Sequence, residues 1–316
     1  MAGASSRPRV GHVTCRLADG RRFDTLHLTV AIAVVTLQFD PFVRLFGDLA
    51  ARWGTIALVA VLVVALVLAG ILARGTGLRW GDVPFIVVGI VPGAVVGARL
   101  AYGLLHADYY ARAPDLLLDP SLGGLELGLG VVGGLLTGAY VAGLLGTSVG
   151  RWLHVATAPV LLVLGAGKLT LVLTGSGQGV PSDAFWATAY AGPGPWGSLA
   201  PTLPSIPSQA LEGIATLAVL VVVAVALLLG AFGRRDGRVF FVGIGLWALA
   251  RTAVSLTWRD PIVAAGLDAG GLIALGIAAG CLVALLYLVA RGRRPASVAD
   301  VPVDVSWPDP ATPPRF

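Results

Sequence analysis

Long apolar runs with few charged residues dominate the chain, and each is long enough to form a helix across a lipid bilayer. Crossing the hydrocarbon core takes about 20 apolar residues. The pattern predicts seven such spans, near residues 54–73, 83–106, 122–146, 154–175, 208–232, 238–258 and 265–290. The sequence therefore predicts an all-α polytopic membrane protein with seven transmembrane helices.

A shorter apolar run, HLTVAIAVVTLQF at residues 27–39, precedes these spans and is followed at once by Asp40 and Arg44. Its length favours an interfacial helix or a strand over a span. With seven spans, however, the arginine-rich N-terminal segment lies outside, against the usual preference of basic residues for the cytoplasm. A model with eight spans therefore stays open.

Arginines at the ends of the spans predict how the protein lies in the membrane. Short cytoplasmic loops are enriched in Lys and Arg. If seven spans alternate, one face collects Arg74, Arg79, Arg151, Arg234, Arg235, Arg238, Arg291, Arg293 and Arg294. We expect this face and the C-terminus to be cytoplasmic, and the opposite ends of the helices to be external.

Three segments are predicted to lie outside the membrane-embedded part of a transmembrane domain at residues 39–291. Residues 1–38 form an N-terminal extension, external or interfacial. The external loop 176–207 is too long for a simple connector, and its Trp and Tyr residues suit the lipid headgroup region. Residues 295–316 have the composition of a disordered cytoplasmic tail.

Composition supports the membrane assignment and excludes other classes. The chain has 316 residues, of which 56% are apolar and only 12% charged, with a mean hydropathy of +0.85. A soluble domain carries about 25% charged residues. The net charge of +5 is explained by the ends of the spans, so a nucleic-acid partner is not expected. Two distant cysteines and four scattered histidines indicate no metal site, and no cofactor is expected.

Five ionisable side chains fall inside the predicted spans: Arg99, Glu126, Lys168, Glu212 and Arg251. Each costs about 2.5–3.5 kcal/mol on insertion scales, so such groups usually face a protein interior or a ligand. At about 1.5 Å per residue, all five lie roughly 6–11 Å below the external surface. Three cations and two anions at one depth predict a polar cavity that has room for an anionic ligand such as a lipid phosphate.

A purely structural explanation of these charges remains possible. Internal salt bridges, such as Arg99 with Glu126, would join helices without any chemistry. The long basic side chains would alternatively extend to the headgroups. Lys168 is the one lysine of the whole chain, and its place inside an apolar run makes it the most informative of the five.

Six segments occur in the order and spacing of one family. They are FDPFVRLFGDLAARWGT (39–55), PGAVVGARLAYGLL (92–105), VGGLLTG (132–138), GAGKLTLVLTGSGQG (165–179), PSQALEG (207–213) and GLWALARTAVSLTWRDP (245–261). In these segments the chain resembles the bacterial prolipoprotein diacylglyceryl transferases. The resemblance implies transfer of the diacylglyceryl group of phosphatidylglycerol to the lipobox cysteine of a prolipoprotein signal peptide. It also implies an outer-face reaction at the bacterial cytoplasmic membrane, with release of glycerol 1-phosphate.

The resemblance also implies roles for particular residues. Lys168 stands where the family has the arginine of its signature, and Arg251 matches a second essential arginine, so both are expected to bind the phosphate. Glu212 completes the implied catalytic set. The implied lipid- and substrate-binding residues are Arg99, Glu126, Ser208, Gln209, Gly133 and Gly134.

Several family positions differ in this chain. The histidine of the family's HGG motif is replaced by Val132 and the histidine before PSQ by Ile206. Leu171, Ser176 and Ser255 stand in place of an asparagine and two glutamates. Lysine at position 168 keeps the positive charge but lacks the planar fork of arginine.

These departures leave two hypotheses. One is an active transferase, in which His106 is a candidate replacement base, unless it is a surface histidine. The other is a transferase-like membrane protein that binds anionic phospholipid without transferring it. A transporter has little support, because the spans show no inverted repeat.

Overall fold

The computed structural model describes residues 34–46, 49–119 and 126–292. Seven helices within these ranges are long and apolar enough to cross a membrane, which confirms the all-α polytopic fold. The helices are α1 (Trp53–Thr76), α2 (Val83–Leu105), a single turn α3 (Ala107–Tyr110), α4 (Leu127–Leu144), α5 (Val149–Thr170), α6 (Ser208–Leu228), α7 (Arg238–Ser255) and α8 (Ala269–Gly292).

Some helix boundaries differ from the predicted spans where polar groups meet the helix ends. Helix α5 begins at Val149 rather than at residue 154, and the Arg151 guanidinium donates to the Gly77 carbonyl oxygen at 3.2 Å. Helix α8 begins at Ala269 rather than at residue 265, since Leu267–Asp268 pair as a strand. These polar contacts are not visible in a hydropathy profile.

Short strands accompany the helices. They are β1 (Val35–Gln38), β2 (Phe42–Phe46), β3 (Leu49–Arg52), β4 (Thr188–Ala191), β5 (Ile262–Ala264) and β6 (Leu267–Asp268). Strand β1 pairs in parallel with β4 from loop 176–207, while β2 with β3 and β5 with β6 form antiparallel pairs.

Strand β1 bears on the number of spans. Eight spans require a helix through residues 27–39, and β1 excludes that helix at residues 35–38. Residues 1–33, which include most of the predicted N-terminal extension, lie outside the described residues, as does the predicted tail 295–316.

The buried core lies mainly between α5, α6 and α7. Leu161 of α5, Val223 of α6 and Trp247 of α7 are each almost fully buried and belong to one cluster. By contrast, Val59 and Val63 of α1 are more than half exposed. Exposed apolar faces of this size suit lipid rather than water.

Helices α2 and α4 approach closely because glycines face each other. A Cβ atom added to Gly133 would collide with the Gly93 carbonyl oxygen, and one added to Gly97 would collide with the Leu129 carbonyl oxygen. Small residues permit such close backbone contact between membrane helices. Gly133 and Gly134 therefore lie at a helix-packing interface, and Gly134 contacts Ile90 rather than a cavity.

Alternation of the seven helices brings the implied site residues to one end of the bundle. One end of the bundle contains the N-termini of α1, α4, α6 and α8 and the C-termini of α2, α5 and α7. We call this the loop end. The opposite end, which contains the loops with Arg79, Arg151 and Arg235, is the arginine end.

We predict that Gly133→Ala lowers the stability of the protein, because its methyl group must push α2 away from α4. Overpacking of this kind costs about 1–3 kcal/mol. The matched control is Gly143→Ala on the same helix, where an added Cβ meets no atom within 4 Å. Thermal unfolding in detergent measures both, and equal midpoints for the two variants would contradict this packing.

Candidate active site

Four of the five predicted intramembrane charges form one network at the loop end. Arg251 Nη1 of α7 donates to Glu212 Oε1 of α6 at 2.6 Å. Lys168 Nζ of α5 lies 3.1 Å from Glu212 Oε2. Arg251 Nη2 lies 3.4 Å from Glu126 Oε1. Glu212 thus bridges two cations, and the network joins four helices.

The two carboxylates are held by different local means. Glu126 immediately precedes α4, and its carboxylate accepts from the backbone N–H groups of Gly128 at 2.8 Å and Leu129 at 2.7 Å. A carboxylate at this position accepts hydrogen bonds from backbone N–H groups at the start of the helix and interacts favourably with the helix dipole. Glu212 lies within α6, where its side chain is 1% exposed. Its charge is offset by Lys168 and Arg251.

Arg99 does not join this network. Its guanidinium donates to the carbonyl oxygens of Leu117 at 2.6 Å, Leu116 at 2.9 Å and Asp119 at 2.9 Å. The proposed structural pair of Arg99 with Glu126 is wrong, because the Glu126 carboxylate pairs with Arg251. Arg99 instead binds the backbone that follows α3.

A cavity of about 420 Å³ opens beside the network at the loop end. Its walls include Lys168, Arg251, Glu126, His106, Tyr102, Trp258, Asp260 and Asp268. Two lysine or arginine side chains thus face three carboxylates across the cavity, so the surplus of cations expected from the sequence is not found among its lining residues. The Lys168 ammonium also lies 4.7 Å from the centre of the Trp258 ring, a favourable distance for a cation–π contact.

Both cations lie on the cavity wall. An ammonium has three N–H donors, and in the described part of the chain Lys168 has one carboxylate partner, Glu212. Arg251 Nε is buried and has no hydrogen-bond partner among the described residues. Two cationic side chains on one wall suit a ligand with acceptor oxygens.

Ser208 and Gln209 lie behind the network rather than on the cavity wall. Ser208 Oγ lies 2.7 Å from Thr257 Oγ1, and Gln209 Nε2 donates to the Tyr190 hydroxyl at 3.2 Å. Both are fully buried. Burial raises the pKa of Tyr190 to about 12, although its bond with Gln209 acts the other way. The phenol therefore stays protonated. Gln209 joins α6 to loop 176–207, and Ser208 joins α6 to the segment after α7.

Val132, which stands at the family's histidine position, lines a different cavity. This second cavity is apolar, has a volume of about 460 Å³ and lies between α4, α7 and α8. Leu129, Phe241 and Ile273 also line it. Ser255, at a family glutamate position, does lie on the wall of the charged cavity.

Asp260 and Asp268 are cavity residues that sequence reasoning missed, because both follow α7 in a segment with the sequence of an ordinary polar loop. Asp268 Oδ1 accepts from the Gly271 N–H at 2.8 Å at the start of α8. Burial, followed by repulsion from Asp268, raises the pKa of Asp260, against the lowering effect of Arg251, His106 and Lys168. The sequence signal available for Asp268 was an Asp at the start of a helix, three residues before a glycine.

Comparison with known proteins agrees with this geometry. The family model for prolipoprotein diacylglyceryl transferase matches residues 41–288. The chain belongs to this family. A phosphatidylglycerol–prolipoprotein diacylglyceryl transferase of Geobacter sulfurreducens is 31% identical over 74% of this chain and 87% of the relative. One of Bordetella avium is 30% identical over 81% of this chain and 97% of the relative.

Family membership confirms the resemblance inferred from the six segments. It places the chain among the transferases of lipoprotein biosynthesis. Together with the seven membrane-spanning helices and the bacterial relatives, it makes the chain a multi-pass protein of the bacterial inner membrane.

We predict that Glu212→Gln strongly destabilises the protein, because it leaves Lys168 and Arg251 without their shared carboxylate. Removing one partner of a buried ion pair costs about 3–5 kcal/mol. The control is Asp183→Asn, which makes the same charge change at an exposed side chain. Denaturant or thermal unfolding in detergent compares the two. If Glu212→Gln unfolds with the midpoint of the control, the network does not hold the helices together.

We predict that Asp260→Asn changes the pH dependence of stability. A raised pKa means that the folded protein binds this proton more tightly than the unfolded chain. Wild type therefore loses stability as pH rises from the ordinary carboxyl pKa through the raised one, and the Asn variant lacks this loss. Unfolding midpoints at about pH 4 and about pH 8 should differ less for Asp260→Asn, whereas exposed Asp108→Asn should follow wild type. Parallel curves for all three proteins would refute this prediction.

Proposed function

We propose that this protein transfers the diacylglyceryl group of phosphatidylglycerol to the lipobox cysteine thiol of a prolipoprotein, at the outer face of the cytoplasmic membrane. The observation that carries the proposal is the charged cavity, whose wall includes both Lys168 and Arg251. The names of the relatives, which include phosphatidylglycerol and prolipoprotein, support the same substrates.

The reaction needs fixed positive charge at one place. When the glyceryl carbon is attacked, its bond to the phosphate oxygen breaks and negative charge grows on the departing phosphate. Preorganised donors in a water-poor site stabilise such charge. Lys168 and Arg251 are held by Glu212 at 3.1 Å and 2.6 Å, so they need not reorganise as the phosphate leaves.

The remaining residues of the implied set support this cavity in the proposed reaction. Glu126 and Glu212 position the two cations. Arg99 fixes the backbone of residues 116–119 through its carbonyl contacts. Gln209 fixes loop 176–207 through Tyr190, and Ser208 joins α6 to Thr257 after α7.

The orientation of the protein follows from its charges. The arginine end carries basic loops, which favour the cytoplasm. The cavity lies at the opposite end, so in this proposal it opens to the outer leaflet, and the C-terminus is cytoplasmic. A lipid substrate in that leaflet then reaches the cavity without crossing the membrane.

A second candidate function is lipid binding without transfer. It is favoured by the side chains at the family's polar positions, since Val132, Leu171 and Ile206 cannot accept a proton. Lys168, Arg251 and the cavity would serve this function equally well.

Product formation separates the two functions. Purified protein in phosphatidylglycerol vesicles is incubated with a lipobox peptide, and mass spectrometry detects a thioether-linked diacylglyceryl group. A peptide with serine in place of cysteine is the negative control, and the Geobacter relative is the positive control. Transfer to the cysteine peptide supports the proposal. Lipid binding without product, while the positive control works, would leave the second function.

We predict that Lys168→Ala weakens binding of phosphatidylglycerol about tenfold, because a charge-assisted hydrogen bond contributes about 1.5–3 kcal/mol. Lys168→Arg should retain binding, since it keeps the charge. Binding to nanodiscs of stated lipid composition measures this, with phosphatidylcholine as the lipid control. Thermal unfolding checks that both variants are folded. Unchanged affinity in the alanine variant would remove Lys168 from the lipid site.

A further inference from the structure

His106 lies on the wall of the charged cavity, immediately after the last residue of α2. It shares that wall with Lys168, Arg251 and Trp258. Its side chain is exposed rather than packed in the core. A molecule bound in the cavity is therefore within reach of the imidazole ring.

The hydrogen bond of His106 decides which ring nitrogen carries the proton. Nδ1 lies 3.0 Å from the Tyr102 carbonyl oxygen. A carbonyl oxygen can only accept, so we assign the proton of the neutral ring to Nδ1. Nε2 then has a free lone pair. The ring also stacks on the Tyr102 ring, with 4.1 Å between centroids, and this contact together with the hydrogen bond fixes its orientation.

Charged side chains from several elements share the cavity wall with His106. They are Lys168 of α5, Arg251 of α7, Glu126 before α4, and Asp260 and Asp268 after α7. A general base must hold the proton that it accepts, and three carboxylates lie on the same wall as the imidazole ring.

The carboxylates of the cavity are weaker candidates for a base. Glu126 accepts backbone N–H groups and contacts Arg251, and Asp268 accepts from Gly271. Asp260 has no hydrogen-bond partner of this kind among the described residues, and its pKa is raised. That rise starts from an ordinary carboxyl pKa of about 3.9, far below the thiol value of about 8.5. Imidazole, at about 6.5, matches a thiol better at neutral pH.

We propose that His106 is the general base of the transfer reaction, with Nε2 accepting the proton of the lipobox cysteine thiol. This inference rests on the proposed function. The thiolate sulfur then attacks the diacylglyceryl carbon next to the phosphate, so that a C–S bond forms and the C–O bond breaks. The electron pair of the broken bond stays on glycerol 1-phosphate, and the imidazolium returns its proton to water.

The deciding experiment measures transfer rate against pH for wild type and His106→Gln. Glutamine cannot accept a proton, so the rate at neutral pH should fall about 10²–10⁴-fold, while binding of phosphatidylglycerol is unchanged. The deficit should shrink above about pH 8.5, where the thiol ionises unaided. His154→Gln, a histidine in α5 near the arginine end, is the matched control and should behave as wild type.

Two results would overturn the assignment. One is an unchanged rate for His106→Gln at neutral pH. The other is a loss that stays constant at every pH, which indicates a structural role. An inactive wild type would instead contradict the proposed function, and this outcome is distinct from an active wild type with an active variant.

A second measurement does not depend on activity. Nitrogen-15 NMR of histidine-labelled protein, with His106→Gln to identify the signal, reports the tautomer. We expect the neutral ring to carry its proton on Nδ1 and none on Nε2. The opposite tautomer would overturn the proposal even if wild type proves inactive.

Discussion

Glu212 is the residue on which the arrangement of the loop end depends. One buried carboxylate contacts Lys168 Nζ at 3.1 Å and Arg251 Nη1 at 2.6 Å, and so joins α5, α6 and α7. Two cations and a carboxylate placed in a membrane protein without this pairing would each carry a large desolvation cost. With it, the two cations are held by one carboxylate, and both side chains line one cavity.

The fold could be predicted from the sequence because length and hydropathy are sufficient to define a membrane helix. Every backbone polar group in lipid must be satisfied within the element, which leaves little choice of structure. Strand β1 agrees with the prediction of an interfacial helix or a strand at residues 27–39, a run that was too short to cross the membrane. The starts of α5 and α8 were misplaced because a hydropathy profile does not show the contact of Arg151 with Gly77 or the pairing of Asp268 with Ile262.

The site could be predicted only in part, since a charge inside a span reveals its depth but not its partner. Lys168, Glu126, Glu212 and Arg251 meet as expected, whereas Arg99 binds backbone carbonyl groups instead. Asp260 and Asp268 enter the cavity through a loop whose path hydropathy does not determine. Gly133 matched a family motif, but its environment shows close packing of α2 against α4. The proposal for His106 depends on its contact with the Tyr102 carbonyl oxygen and on its place on the cavity wall. Only the structure shows these two features.

The central claim is that Lys168 and Arg251 together bind the phosphate of a phospholipid in this cavity. Cryo-electron microscopy of the protein in phosphatidylglycerol nanodiscs tests it most directly. We expect a phosphate within hydrogen-bond distance of the Arg251 guanidinium and Lys168 Nζ, with the acyl chains leading into the membrane. A cavity without lipid, or a phosphate bound only at the arginine end, would contradict it.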